Sequence, residues 1–265
     1  MLREHQEALA RLLVEARREG RQVHDLAAHL TPGSHEDGYR VNALVAQGLG
    51  WEPLGWKIAG TNPTMQQRLH SDGKPIYGRT YRQFAMTSPA RLAHVGLLDP
   101  IVECEFFFRL GRALPARSQP YASDEVADAV AAAHCGVEIA ECRFPLAALP
   151  TMSAILADGA ASGRYVIGSE IVDWRRKDLG AMAVALEVNG VMRRRGSGAE
   201  VMGQPLNALV WLANERSAWG DGLAADALVS TGTTTGMLLA KPGDHMVAHF
   251  DGVPAVEITF DGCAP

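Results

Sequence analysis

The 265-residue chain has only four cysteines, Cys104, Cys135, Cys142 and Cys263. None stands in a Cys-x-x-Cys spacing, which excludes both a disulfide scaffold and a thiolate zinc site; the thiols are expected to be reduced, mostly as small buried apolar residues. Long apolar runs are absent too. Nowhere do about 18 consecutive apolar residues suggest a membrane span, and the charged N-terminus, from Arg3 onward, lacks the apolar stretch of a signal peptide. A soluble, cytoplasmic setting is the expectation. Basic clusters are scarce: with 25 Lys and Arg against 30 Asp and Glu, a net charge of −5, the single Arg193-Arg194-Arg195 run reads as a solvated turn. That excludes a general nucleic-acid or anionic-membrane binder. No Gly-x-Ser-x-Gly elbow, P-loop or dinucleotide fingerprint occurs, and neither does a fixed-period repeat.

What is present is a 47% hydrophobic chain, enough for a substantial core. Leu9, Leu12, Leu13 and Ala16 fall at helical spacing, with Gly20 at the expected stop. A second helix is expected from Ser34, with Glu36 and Asp37 in its first turn. Beyond residue 50 the texture changes to short strand-like runs at 55–59, 101–110, 136–140, 164–168, 183–188, 227–231, 245–250 and 254–260. Two helices interrupt them, one capped by Ser123 and running to about Ala133, the other from Pro205 to Arg216. Strands so numerous and so rarely separated by helices predict an α+β fold, with a helical region at 1–50 and a barrel-like mixed-β core at 51–265.

One segment is out of place as plain scaffolding. In Ile101-Val102-Glu103-Cys104-Glu105-Phe106-Phe107-Phe108, strand alternation puts Glu103 and Glu105 on the same face, about 7 Å apart. At an effective dielectric near 20 their repulsion is roughly 2 kcal/mol before desolvation is counted. A third acid, Glu138, sits in the apolar run Gly136-Val137-Glu138-Ile139-Ala140. Three carboxylates without matched His or Cys suit a hard cation, Mg²⁺ or Mn²⁺ before Ca²⁺. The plainer alternative is an edge strand with its glutamates in water, against which Ile101 and Phe107 share the glutamate face.

Lys57, within Gly55-Trp56-Lys57-Ile58-Ala59-Gly60, has two readings: a desolvated proton shuttle, or a stem lying along the sheet with its head in water. Asp158-Gly159-Ala160-Ala161-Ser162-Gly163 is a small-residue loop able to approach a ligand, or a simple turn. Ser230-Thr231-Gly232-Thr233-Thr234-Thr235-Gly236 offers hydroxyls and amides to a carboxylate. His245 and His249 lack the intervening Glu of a zincin and read as strand residues.

Asp37-Gly38-Tyr39, Gly55-Trp56-Lys57-Ile58, Pro75-Ile76-Tyr77-Gly78, Val102-Glu103-Cys104-Glu105, Val137-Glu138-Ile139, Ser162-Gly163 and Gly232-Thr233-Thr234-Thr235-Gly236, in that order, resemble the 2-keto-4-pentenoate hydratase and oxalocrotonate decarboxylase group of the fumarylacetoacetate hydrolase superfamily. The resemblance implies a mixed β-roll with N-terminal helices, usually in homo-oligomers. It implies that Glu103, Glu105 and Glu138 bind a divalent metal and that Lys57 is the family lysine. The catalytic candidates are then Lys57, for proton transfer or for holding the enolate, with Asp158 and Ser162 helping to place substrate or water. Tyr77, Arg79, Arg143 and Thr233 are the expected substrate contacts. The sequence departs from the family at Cys104, at Phe106 to Phe108, at Asp158-Gly159 and at Ala140-Glu141-Cys142-Arg143, which points to an altered pocket wall around an intact metal site.

The activity implied is hydration of a 2-hydroxy-2,4-dienoate to a 4-hydroxy-2-oxo acid in the catabolism of aromatic ring-cleavage products. Its rivals are decarboxylation of a 2-oxo-enedioate, with Arg79, Arg82 or Arg143 taking the second carboxylate, and hydrolysis of an acylpyruvate, with His35-Glu36 as the adjacent pair. A non-catalytic oxo-acid binder is the alternative outside enzymology.

Overall fold

The computed structural model describes residues 1–69 and 71–262, so Cys263 lies outside the described residues. The chain opens with α1 (Arg3–Glu19) and α2 (His35–Leu49). The first ends where Gly20 takes φ 64°, a left-handed position that favours glycine. The second starts where the Ser34 hydroxyl accepts the Asp37 amide at 3.2 Å. Their apolar faces pack on each other through Leu9, Leu13, Val41 and Val45. Phe144, Ala154 and Ala157 join the same cluster, so the N-terminal helices share a core with residues far along the chain.

The remainder forms two sheets. The first strands are β1 (Pro53–Ala59), β2 (Ile76–Tyr81), β3 (Ala85–Thr87), β4 (Ala90–Ala93) and β5 (Ile101–Leu110), with α3 (Pro63–Leu69) between β1 and β2. Then follow α4 (Ser123–Ala129), β6 (Val130–Ala140), α5 (Met152–Ala157), β7 (Arg164–Glu170), β8 (Ala183–Val188) and β9 (Val191–Ser197). The chain closes with α6 (Pro205–Ala218), β10 (Leu228–Ser230), β11 (Leu238–Leu239), β12 (His245–Phe250) and β13 (Val253–Asp261). The larger mixed sheet runs β2-β1-β10-β5-β6-β7-β3 with β11 added beside β5, and the smaller runs β4-β13-β12-β8-β9.

The main core unites both sheets. Val102, Cys104, Phe106 and Phe108 of β5 join Val137 and Ile139 of β6 and Leu186, Phe250, Val256 and Phe260 of the smaller sheet. Alternation therefore turns one side of β5 into this core and leaves Glu103 and Glu105 on the other.

Two expectations are corrected here. The helix at 123 begins with Ser123 rather than being capped by it, and the Glu125 carboxylate accepts the Ala122 amide at 2.9 Å instead. It also ends at Ala129, because Val130 to Ala140 pairs with β5 along its whole length and that pairing overrides the helix preference of three alanines. Arg193 to Arg195 are solvated but lie on β9, the edge of the smaller sheet; the turn is at Asn189-Gly190.

Candidate active site

The β5–β6 register sets Glu103 directly opposite Glu138 and Glu105 opposite Gly136, so all three acids occupy one face of the larger sheet. All are buried, and oxygen atoms from the three lie within 4.8 Å of one another. The water-facing edge-strand reading is excluded. Burial, and then the neighbouring Glu138 charge, push the Glu103 carboxyl up to about 7; Glu105 is raised by burial and by both other acids. Glu138 is raised by burial, with Lys57 opposing.

Glu105 Oε2 accepts the Gly232 amide at 3.0 Å, while Glu105 Oε1 and Glu138 Oε2 have no hydrogen-bond partner among the described residues. A native interior rarely leaves buried oxygens unpaired. Two orphaned carboxylate oxygens in an all-oxygen cluster fit a hard divalent cation, which the three residues would hold together.

Lys57 arrives from β1, on the strand that neighbours β10, and its Nζ is 3.3 Å from Glu138 Oε1. Burial alone would lower its ammonium, but the charges of Glu138, Glu103 and Glu105 outweigh that and hold it above the usual lysine value. Lys57 is thus a sealed cation, and the reading with its head in water fails. Tyr165, paired across the sheet with Glu138, donates to Glu138 Oε1 at 3.3 Å and lies 2.9 Å from the Ser162 hydroxyl. Ser162, Tyr165, Glu138 and Lys57 form one connected polar chain.

The two loops serve this chain from either side. Gly78 faces Lys57 across β1–β2, and a Cβ there would lie 1.9 Å from the Gly159 carbonyl oxygen. Only glycine lets the 158–163 loop seat against that strand. On the other side, the Thr231 and Thr234 hydroxyls donate to the Phe106 and Cys104 carbonyls at 3.1 and 2.8 Å, latching the 230–236 loop onto β5. The amides foreseen for a substrate carboxylate include Gly232, which serves Glu105 instead.

A cavity of about 150 Å³ opens beside the acids. Lys57, Glu103 and Thr233 line it beside the triad, Arg68 and Asp99 add two further charged groups, and Phe144, Leu149, Met152, Ile155 and Met237 form much of its apolar wall. Cys142 also lines it, whereas Cys104 and Phe106 to Phe108 do not. The expectation that those β5 residues form an altered pocket wall is corrected: Cys104, Phe106 and Phe108 face the main core, and Phe107 packs edge-on against Tyr165.

Three other expected contacts are placed elsewhere. Tyr77 and Arg79 sit opposite Ile58 and Trp56, so alternation points them to the face away from Lys57. Arg143 is buried against Asp158, at 3.6 Å, and against the Ser162 carbonyl, at 3.3 Å. Asp158 itself is fully buried, taking Arg17 of α1 at 2.9 Å and the Arg143 amide at 2.9 Å. It fastens the Ser162 loop to the N-terminal helix and does not line the cavity. His35 faces Asp72 and Glu36 pairs with exposed Arg40, which removes them as a hydrolytic pair in this cavity. Tyr165 and Arg17 went unforeseen, since a tyrosine in a strand and an arginine in an amphipathic helix carry no local signal; only the sheet register and helix docking bring them in.

The two-sheet fold, with a buried glutamate triad beside a lysine, is of the fumarylacetoacetate hydrolase class. The chain belongs to that family: a model of the fumarylacetoacetate (FAA) hydrolase C-terminal family matches residues 89–261. It is 31% identical to a 2-keto-4-pentenoate hydratase of Paraburkholderia xenovorans (strain LB400), over 98% of this chain and 97% of that protein. A 4-oxalocrotonate decarboxylase of Pseudomonas putida is 24% identical over 97% of both. Among solved structures, 4-oxalocrotonate decarboxylase from Pseudomonas putida G7, complexed with magnesium and adipate, superimposes with a TM-score of 0.89 at 23% identity, covering 98% of each chain.

Proposed function

We propose that the protein is a divalent-metal-dependent hydratase that adds water to a 2-hydroxy-2,4-dienoate of the 2-keto-4-pentenoate type, giving a 4-hydroxy-2-oxo acid. The observation that carries this reading is the polarity of the cavity: a cationic and carboxylate end at Lys57 and Glu103, and a largely apolar wall beyond it. A monocarboxylate with an unsaturated hydrocarbon tail fits such a space. Several relatives at 31% identity bear the hydratase name.

Mg²⁺, held by Glu103, Glu105 and Glu138, would supply positive charge opposite the substrate carboxylate and the oxygen that gains charge as the dienol ketonises. The Lys57 Nζ holds a proton within the same buried cluster and orients the anionic substrate. We assign it the transfer of that proton to the carbon skeleton. Tyr165 and Ser162 fix the Glu138 carboxyl against rotation, and Thr233, whose hydroxyl donates to the Gly236 carbonyl at 3.0 Å, shapes the loop that lines the cavity. Asp158 acts as a positioning residue through Arg17 and Arg143. The apolar walls keep bulk water from the diene, so that a single water adds. A homo-oligomer working in the cytoplasm is the accompanying expectation.

Decarboxylation of a 2-oxo-enedioate is favoured by one observation, the exposed Arg68 in the cavity lining. Against it stands Asp99 in the same lining, whose carboxyl is held below its usual value by the Leu146 amide and the Gln22 side chain. Mass spectrometry of products from Mg²⁺-loaded protein with dienoates, oxo-enedioates and acylpyruvates separates the readings. Gain of a water supports hydration, loss of CO₂ the decarboxylase, and C–C cleavage the hydrolase; no product with any of them leaves a binder.

A further inference from the structure

Behind Lys57, on the opposite face of β1 and β2, lies a second cavity of about 480 Å³ that the reaction does not use. Its floor is Trp56. The Arg79 and Arg216 guanidinium carbons lie 4.5 and 4.6 Å from the centroid of that ring, so two cations share one aromatic face system. Arg216 is only 4% exposed, donates to the Tyr77 hydroxyl at 2.9 Å, and its Nε has no hydrogen-bond partner among the described residues.

Charge in the cavity is unbalanced. Among the described residues, Arg3, Arg40, Arg79 and Arg216 line it against a single acid, Asp221. Arg3 and Arg40 are already paired with Glu7 and Glu36. Arg79 and Arg216 are left to share Asp221, which contacts Arg216 closely and Arg79 at 3.9 Å and is itself 57% exposed. Two guanidiniums this near one another repel, and one solvated carboxylate does not offset both. Burial, and then the Arg216 charge, lower the Arg79 guanidinium. The Tyr39–Tyr77 stack, with centroids 4.2 Å apart, and Trp219 edge-on at 5.8 Å add flat apolar surface beside the cations.

We propose that this cavity is a second anion site, which takes a small planar organic carboxylate between the Arg79 and Arg216 guanidiniums. A carboxylate matches the donor fork of arginine, and a planar body matches the tyrosine and tryptophan rings. The ligand carboxylate meets the exposed side of the Arg79 guanidinium and offsets the second positive charge. Because Trp56 and Lys57 are adjacent on β1, occupancy fixes the strand that carries the catalytic lysine.

Calorimetric titration of the full-length, Mg²⁺-loaded protein with benzoate as probe tests the site. Expected are saturable binding to the wild type, at least about tenfold weaker binding to Arg79→Gln, and intermediate binding to Arg79→Lys, which keeps charge without the fork. Binding is expected to survive Glu103→Gln, which disables the metal cluster on the other face. Since Arg79 is partly exposed, an unchanged melting temperature shows that Arg79→Gln folds. No saturable heat with benzoate overturns the proposal, as does equal affinity in Arg79→Gln or loss of binding in Glu103→Gln. Inorganic phosphate is the second titrant, and its binding in preference to benzoate overturns the assignment of a carboxylate.

Discussion

Lys57 Nζ and Glu138 Oε1 stand 3.3 Å apart with side-chain exposures of 3% and 0%, so a lysine from β1 and a glutamate from β6 share one sealed site across three intervening strand contacts. Replacing Lys57 with Met removes the buried ammonium but none of the three acids. Turnover of a 2-hydroxydienoate is expected to fall by about 10² to 10⁴. Mg²⁺ affinity, measured by calorimetry, should change little; wild-type turnover would remove the assigned role.

Three buried acids repel one another unless a cation lies among them. Glu105→Gln is therefore expected to raise the stability of EDTA-treated protein, by about 1–3 kcal/mol, while abolishing the stabilisation that added Mg²⁺ gives the wild type. Thermal melts with and without Mg²⁺ read both effects. A wild-type melting temperature indifferent to Mg²⁺ would tell against the triad as a metal site.

Asp158 compensates two buried guanidiniums, Arg17 and Arg143. Removing the shared carboxylate leaves both guanidiniums buried without a counter-charge, and Asp158→Asn is expected to cost about 3–5 kcal/mol in urea unfolding. Arg17→Met leaves the Asp158–Arg143 pair in place and should cost less. Lost turnover at unchanged stability would instead mark Asp158 as a direct participant in the reaction.

Arg68 discriminates the two chemistries. For a hydratase of monocarboxylate dienoates, Arg68→Ala should leave kcat/KM within about twofold, the usual reach of an exposed charge. A decarboxylase that uses Arg68 for its second carboxylate would lose about tenfold or more on an oxo-enedioate, the scale of a charge-assisted hydrogen bond.

The strand pattern raised a cation site at Glu103 and Glu105 but left a wet edge strand open; the family motifs pointed to the triad, and burial of the acids excludes the edge strand. The apolar run around Lys57 left two readings, and its burial beside Glu138 rules out the one with its head in water. Ser34, Gly20 and the β5 boundaries could be read from local chemistry alone. The β6 start could not, since Val130-Ala131-Ala132-Ala133 prefers helix until ten residues of β5 pair with it. Nor could the face on which Tyr77 and Arg79 stand, because β2 itself went unread and its register against β1 decides which side each residue takes. Family motifs placed Asp158 and Arg143 near the site, while the docking of α1 brings Arg17 onto Asp158, which also takes Arg143.

The most direct test is the loss of dienoate absorbance by wild-type protein dialysed against EDTA, before and after Mg²⁺ is restored. Turnover is expected to be abolished by chelation, recovered with Mg²⁺ and never recovered in Glu105→Gln. Equal turnover in EDTA, or full recovery by Glu105→Gln, would contradict that expectation.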